Sequence, residues 1–377
     1  MRVLHVINSL AGSGGAEHGL VREVTRFSEG TEQKVVRLFD KDHLDADLVS
    51  AGVEVTGLGL QSRRAGWNWP LAVARLRRVV EAFEPEVIHS SLFTANLVAQ
   101  LTGSRTRIPV LSTFTLSGDP KLLKRFQPGA GSWRGTALRW LAARAAQDSS
   151  IHFRALTRDA LITNCELLGV DQSRATVIPR GIYTDLYPME RRTPADLGLP
   201  PSGSLLVNVG RQTAQKGHLS LLKALEILRS EADVHLAIVG REGDATEQIR
   251  AAIEARGLQE DVTLVGYTPD VHHYMANADV FVFSSFMEGL GTAVLEALAM
   301  GLPVVAYDIP PVREITDDGK VAKLVQLGDH DALARAVHQA LTEGRNARGQ
   351  QEWVLQQFSI DDVASQVEAL LRRVAAL

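Results

Sequence analysis

Two glutamates pose the first chemical question. Residues 292 to 300 are apolar on every side except at Glu296, and Glu288 stands eight residues earlier, before a Gly289-Leu290-Gly291 turn. An unpaired carboxylate in an apolar interior is costly, so something polar is expected to meet each of them. Carboxylates accept hydrogen bonds from hydroxyls; a ribose diol for one and a hexose for the other would account for both. A second group lies upstream, in Val209-Gly210-Arg211-Gln212-Thr213-Ala214-Gln215-Lys216-Gly217. It follows an apolar run of strand length and precedes a helical pattern. A helix N-terminus offers backbone N–H groups and partial positive charge. Arg211 and Lys216 add two cations, and glycines let a bulky ligand approach, so diphosphate is the natural guest. A third turn, Gly12-Ser13-Gly14-Gly15, follows the first strand-like run and can cradle phosphate in the same way. It lacks the spacing of the dinucleotide fingerprint, and no acidic residue follows at the required distance, so a nicotinamide cofactor is not expected.

Strand-like and helical segments alternate along almost the whole chain, and they must hold these residues. Strand-length apolar runs lie at residues 3–7, 34–38, 87–89, 110–113, 152–156 and 176–178, then at 205–209, 235–239, 262–264, 280–283 and 304–307. Helical patterns fill the intervals, for example 17–27, 71–83 and 135–146. Such alternation predicts parallel sheets covered by helices, and two such sets predict two doubly wound α/β domains. Thr193-Pro194 and Leu199-Pro200-Pro201-Ser202-Gly203 read as linker. The expected division is residues 1–182, residues 183–357, and a final amphipathic helix in 358–377 that crosses back to the first domain. The apolar set of that helix, Val363, Val367, Leu370, Leu371 and Val374, needs a partner surface.

Bulk composition excludes several classes. The 377 residues are 45% hydrophobic and 22% charged, as in ordinary globular proteins. The single cysteine, Cys165, excludes a disulfide framework and a cysteine-rich zinc site. The first fifteen residues do not read as a signal peptide, and no window reaches about 18 uninterrupted apolar residues. A cytoplasmic protein is expected, with no nucleic acid as partner. Charge is uneven. Residues 1–187 carry 23 Lys+Arg against 18 Asp+Glu, while the whole chain is at -4. The first half therefore suits an anionic neighbour. Within it, Lys121, Lys124, Arg125, Arg134, Arg139, Arg144 and Arg154 surround Trp133 and Trp140. That pattern fits either peripheral docking on the inner face of a membrane or a helix packed on the first sheet with its arginines in water.

The motif E-G-x-G-x-x-x-x-E from Glu288 to Glu296, G-R-x-x-x-x-K-G from Gly210 to Gly217 and G-G-A-E from Gly14 to Glu17 together resemble the retaining GT-B glycosyltransferases of family 4. VIPRGIYTDLY at residues 177–187 resembles the family's interdomain segment. VGYTPDVHHYMANADVFVFSS at 265–285 resembles its base-binding strand and the helix after it. The resemblance covers nearly the whole chain.

The resemblance implies a GT-B fold, two Rossmann-like domains facing a central cleft, and transfer of a hexose-type sugar from a nucleotide-diphosphate sugar, a UDP-sugar first, with retention. The setting it implies is assembly of a cell-surface polysaccharide or glycoconjugate. Arg211 and Lys216 would clamp the diphosphate and, with Glu288 at the transferred sugar, form the catalytic set. Glu296 would bind the ribose. Gly210 and the backbone of Gly289, Leu290 and Gly291 would surround sugar and phosphate, Gly15 would close the N-terminal side, and Tyr267 and Thr268 would border the base. Gly14, His89 and Thr115 are the acceptor-side candidates. Family members need no metal and no cofactor, and none is expected here. The adjacent His272 and His273 read as structural, because neighbouring helix residues point apart. Two departures stand out. Where many relatives carry a histidine, the chain has Thr113-Phe114-Thr115, and a hydroxyl cannot take a proton as imidazole does. Arg180 stands where relatives often have asparagine, either as a structural cation or as a further anion contact. Two alternatives remain: a UDP-sugar 2-epimerase of the same architecture, and a non-catalytic sugar-nucleotide-binding protein.

Overall fold

The computed structural model describes residues 1–12, 14–40, 42–61, 68–115, 122, 125–126, 133–183, 190–345 and 347–377. Two compact units emerge: Met1–Tyr183 with Phe358–Leu377, and Thr184–Gln357. In the first unit seven strands form one sheet: β1 (Arg2–Ile7), β2 (Glu32–Phe39), β3 (Glu54–Leu60), β4 (Val87–Ser91), β5 (Val110–Phe114), β6 (Ile151–Ala155) and β7 (Ala175–Val177). Their order is β3-β2-β1-β4-β5-β6-β7. All pairs are parallel. Every residue of β4 and β5 is buried, because helices cover both faces of such a sheet. Helices α1 (Gly15–Val24), α2 (Asp45–Ser50), α3 (Trp69–Phe83), α4 (Phe93–Thr106), α5 (Trp133–Ala146) and α6 (Arg158–Leu168) make the crossovers.

β3 is absent from the apolar runs of the sequence. Glycines 57 and 59 interrupt it, and it lies at the sheet edge. Gly57 makes room for a neighbouring side chain. A Cβ at that position would sit 2.6 Å from Nη1 of Arg37, whose side chain crosses from β2.

In the second unit β8 (Ser204–Val209), β9 (Val234–Val239), β10 (Val262–Gly266), β11 (Val280–Phe283), β12 (Val304–Tyr307) and β13 (Lys323–Val325) pair in the order β10-β9-β8-β11-β12-β13. These pairs too are parallel. Helices α7 (His218–Leu228), α8 (Thr246–Ala255), α9 (Val271–Asn277), α10 (Thr292–Ala299), α11 (Pro310–Ile315), α12 (His330–Glu343) and α13 (Ala347–Phe358) complete the unit. β13 also escaped the sequence pattern. It is three residues long, all half-buried, so it shows neither alternation nor a continuous apolar run. Both units are thus doubly wound sheets in which the strand order reverses beside the first strand, the place where ligands bind in open α/β folds.

The last helix, α14 (Ile360–Ala375), belongs to the first unit. Val363, Val367, Leu370, Leu371 and Val374 pack on Val3, Val87 and Leu111, the lower ends of three central strands. Asp361 and Asp362 open the helix and Arg372 and Arg373 close it, each complementing the helix dipole. At its start the N–H of Ile182 donates to O of Phe358 at 2.9 Å, and the N–H of Ile360 donates to O of Ile182 at 3.0 Å.

A buried carboxylate fixes the helix further along. Glu368 accepts from the N–H of Ser28 at 3.1 Å, from Oγ of Ser28 at 2.5 Å, from Oγ1 of Thr31, and from Arg372 at 2.7 Å. Burial alone would raise its pKa, but the hydroxyls of Ser28 and Thr31, the Ser28 N–H and Arg372 outweigh burial and lower it to about 2. A carboxyl lowered on folding contributes stability above its unfolded value of 4.5, and loses that contribution as pH falls toward the folded value. Glu368→Gln is expected to destabilise the protein at pH 7 by about 2 kcal/mol. The gap to wild type should close as pH drops below 4.5. Urea midpoints measured from pH 7 to pH 3 check both; a pH-independent gap would refute the charge-based account.

Candidate functional site

Because all six strands of the second sheet run in one direction, the turns after β8, β9, β10 and β11 share one edge of it. The turn after β8 winds through a single 3-10 turn at Ala214–Lys216 into Gly217, which has φ +70° and caps α7. Only glycine fits there: a Cβ would lie 2.0 Å from O of Ser284. Backbone and side chains then join this turn to the one after β11. The N–H of Phe286 donates to O of Gln215 at 2.9 Å. Nε2 of Gln215 donates to O of Met287 at 2.6 Å, and Oγ of Ser284 donates to O of Lys216 at 3.0 Å.

The product of this stitching is an ion pair. Nζ of Lys216 donates to Oε1 of Glu288 at 2.6 Å, with both side chains largely buried. The stem of Lys216 passes Gly210, where a Cβ would meet its Cδ at 3.3 Å. The ammonium also lies 5.9 Å from the centre of the Phe283 ring. A partly buried ion pair of this kind is short and charge-assisted. Arg211 is exposed at the same turn. Gly289, Leu290 and Gly291 continue the second turn, with Leu290 buried and Gly291 at φ +95° capping α10.

Glu296 is 8% exposed, in the second turn of α10. The structure brings His272 to it: Nε2 of His272 lies 3.8 Å from Oε2 of Glu296. His273 turns the other way, its Nδ1 3.4 Å from O of Glu190. The sequence reading set the two histidines aside together. The structure separates them and places one beside the carboxylate. Tyr267 is 66% exposed after β10, and Oγ1 of Thr268 accepts from the N–H of Asp270 at 3.0 Å. Lys216, Glu288, Gly289, Leu290, Gly291, Gly210 and Arg211 thus gather on two facing turns, while Glu296, Tyr267 and Thr268 lie on neighbouring elements of the same edge.

In the first unit, Gly14 caps α1 and Gly15 begins it; both are exposed, and a Cβ on Gly14 would meet nothing within 4 Å. Oγ of Ser9 donates to Oε1 of Glu17 at 2.6 Å, so that glutamate is engaged in holding the turn. Ser13 lies outside the described residues. Thr115 is half-buried just beyond β5. His89, the third acceptor-side candidate, lies in β4. Its ring is 1% exposed, with Nδ1 3.1 Å from Nδ1 of His5 and Nε2 3.1 Å from Oγ1 of Thr113. Burial, then Arg154 and Arg180, lower its pKa to about 3. It is a neutral ring in the core, held on both sides by His5 and Thr113.

The basic segment is also redistributed. Lys121, Lys124 and the side chains of Trp133 and Arg134 lie outside the described residues. Leu138 and Leu141 pack on Leu97, Ala142 and Ala145, whereas Trp140 is 69% exposed. Arg154 leaves the surface altogether and holds Glu23 through two bonds of 2.7 Å. Among the described residues, no group of three or more His, Cys, Asp and Glu side chains converges as a metal site. No described helix is long and apolar enough to cross a membrane.

Two doubly wound sheets, with a Lys–Glu pair between glycine turns at the strand-order reversal of the second, have the architecture of the GT-B glycosyltransferases. Residues 189–353 match the family described as glycosyl transferases group 1, and residues 13–181 match the glycosyl transferase 4-like domain. The chain belongs to the group 1 glycosyl transferases. It is 30% identical over 314 residues to the alpha-maltose-1-phosphate synthase of Mycobacterium tuberculosis, covering 77% of this chain and 79% of that one. It is 28% identical over 293 residues to the 2-deoxystreptamine N-acetyl-D-glucosaminyltransferase of Streptomyces fradiae, covering 74% and 67%. With the phosphatidyl-myo-inositol mannosyltransferase of Mycobacterium leprae it shares 34% identity over 220 residues, 56% of each chain. Its fold matches Anabaena Alr3699/HepE, solved in complex with UDP, with a TM-score of 0.81 at 20% identity over 99% of this chain and all of that one.

Proposed function

We propose that the protein transfers a hexose from a nucleotide-diphosphate sugar, a UDP-sugar, to an acceptor hydroxyl with retention of anomeric configuration, in glycoconjugate or polysaccharide assembly. The observation that carries this reading is the 2.6 Å Lys216–Glu288 pair, built from two turns at the ligand edge of the second sheet. The lysine supplies positive charge for a diphosphate, and the carboxylate supplies an acceptor for sugar hydroxyls. UDP bound to the structural neighbour supports the choice of nucleotide. The names of its relatives, a 2-deoxystreptamine N-acetyl-D-glucosaminyltransferase, a phosphatidyl-myo-inositol mannosyltransferase and an alpha-maltose-1-phosphate synthase, support a broad acceptor class.

In the proposed step the acceptor oxygen attacks the anomeric carbon as the bond from that carbon to the diphosphate oxygen breaks. The acceptor proton passes to the departing phosphate, so the first unit need supply no base at Thr115. Arg211, Lys216 and the backbone N–H groups at the start of α10 stabilise the charge that grows on the diphosphate; catalysis is then positioning and electrostatics. No metal and no cofactor takes part in this reading. The test is UDP release from a panel of UDP-sugars, with and without candidate acceptors. Acceptor-dependent release supports transfer. Release without any acceptor favours the epimerase, and no release from any donor removes both catalytic readings.

Glu296 should act on the nucleotide. If it accepts the ribose hydroxyls, Glu296→Ala loses about 1.5–3 kcal/mol, roughly a ten- to hundredfold weaker UDP complex. Calorimetric titration with UDP checks this. Equal affinity in the two proteins would remove the ribose role of Glu296.

A further inference from the structure

Two arginines of the first unit, Arg154 and Arg180, are almost wholly buried. Glu23 is 3% exposed and both of its oxygens are taken by Arg154, which is 1% exposed. Nε of Arg154 donates to O of Ile178 at 2.9 Å, and Nη2 also donates to O of Pro179, so all three of its nitrogens are engaged. Arg180 follows two residues later, just past the C-terminal end of β7, and it is 8% exposed. Its stem lies across Gly19 of α1, where a Cβ would sit 2.4 Å from Cδ. Among the described residues it makes no hydrogen bond and no ion pair within 4 Å. None of its nitrogens is among the sealed unsatisfied atoms of the core, so the guanidinium keeps some access to solvent.

Among the described residues, Arg180 therefore sits near two other guanidiniums, Arg22 and Arg154, and near the carboxylate of Glu23, which Arg154 already holds. Burial, opposed by Glu23 and assisted by Arg154 and Arg22, lowers its pKa to about 10, so it stays charged at neutral pH. His89 nearby is neutral and adds no compensation. A buried cation without a counter-ion is costly, and a protein keeps one where an anion arrives. The planar fork of arginine suits a phosphate or carboxylate, which it holds through paired bonds.

We infer that Arg180 receives an anionic oxyacid group of the acceptor, a phosphate or carboxylate carried by the molecule to be glycosylated, at the strand-end edge of the first unit beside α1. The inference rests on the transferase reading for the word acceptor; the anion site itself does not depend on it.

Inorganic phosphate is the probe, titrated into the full chain saturated with UDP so that the donor turns are occupied. Wild type is expected to bind phosphate, Arg180→Gln to bind it at least tenfold more weakly, and Arg180→Lys to fall between. Lys216→Ala should keep the site. Melting temperature is read in parallel: loss of an uncompensated cation should leave Arg180→Gln at least as stable as wild type without phosphate, whereas wild type alone should gain stability from phosphate. A second arm separates the sources of the anion. Sedimentation with phosphatidylcholine vesicles containing phosphatidylinositol that depends on Arg180 assigns a lipid headgroup. Phosphate binding without such sedimentation assigns a soluble acceptor. The proposal is overturned if wild type takes up no phosphate in the presence of UDP. It is equally overturned if Arg180→Gln binds as well as wild type, or if Arg180→Gln melts much lower while phosphate binding is unchanged. Failure of the transferase reading shows separately, as absence of UDP binding or release.

Discussion

Lys216→Ala is expected to lower sugar transfer by roughly a hundredfold while the protein stays folded. The estimate follows from one lost charge-assisted contact to phosphate, about 1.5–3 kcal/mol, with about 1.4 kcal/mol for each tenfold in rate. Survival of the fold follows from position. Lys216 is partly exposed and its side chain makes one ion pair, whereas the turn is held by other groups: Gln215 to Met287, Phe286 to Gln215, and Ser284 to the backbone of residue 216. Those bonds use backbone atoms or other side chains and survive the substitution. Arg211→Ala should lose less, because Arg211 is exposed at the rim of the turn and charge in water is screened. Steady-state rates with saturating donor, beside an unchanged melting temperature, decide the point. Wild-type turnover in a folded Lys216→Ala protein would remove the diphosphate role.

What the sequence disclosed about this site was chemistry at turns, and what it concealed was which turns meet. Gly217 and Gly291 mark strand-to-helix junctions because glycine readily adopts the positive φ those caps take, and that signal is local. The apolar run around Glu296 is equally local, and the residue is buried as the run requires. The pairing of Lys216 with Glu288 spans 72 residues. It exists because β11 lies beside β8 although β9 and β10 intervene in sequence, and nothing in either segment alone announces that crossover. His272 approaches Glu296 for the same reason: α9 and α10 lie on different strand connections. The missed strands β3 and β13 are edges, where one neighbour suffices and the apolar signal is weakest. Arg154 shows the opposite error. Among the cations of a basic segment it reads as surface, but it lies on a strand with both faces covered, and its distant partner Glu23 with the carbonyls of Ile178 and Pro179 makes that burial tolerable.

Glu288→Gln keeps size and shape and removes one charge, and it is expected to cost turnover most while leaving nucleotide affinity within about threefold. Two contributions combine. The amide still donates and accepts, so hydrogen bonds to a sugar are partly retained, but the negative charge that orients Lys216 at 2.6 Å is gone. The lysine is then free to follow the phosphate or to turn to water, and a misplacement of about 1 Å at a reacting centre costs on the order of a hundredfold. Binding of UDP alone should hardly register the change, because the sugar is missing from it and Lys216 remains cationic. The pairing itself can be measured by the cycle of Lys216→Ala, Glu288→Gln and the double variant. If the two residues act as one unit, the double variant loses little more than the worse single one, since partners in contact are not additive. If the two losses multiply, lysine and glutamate work separately and the ion pair is incidental to transfer. A drop in UDP affinity as large as the drop in rate would move Glu288 from the sugar to the nucleotide.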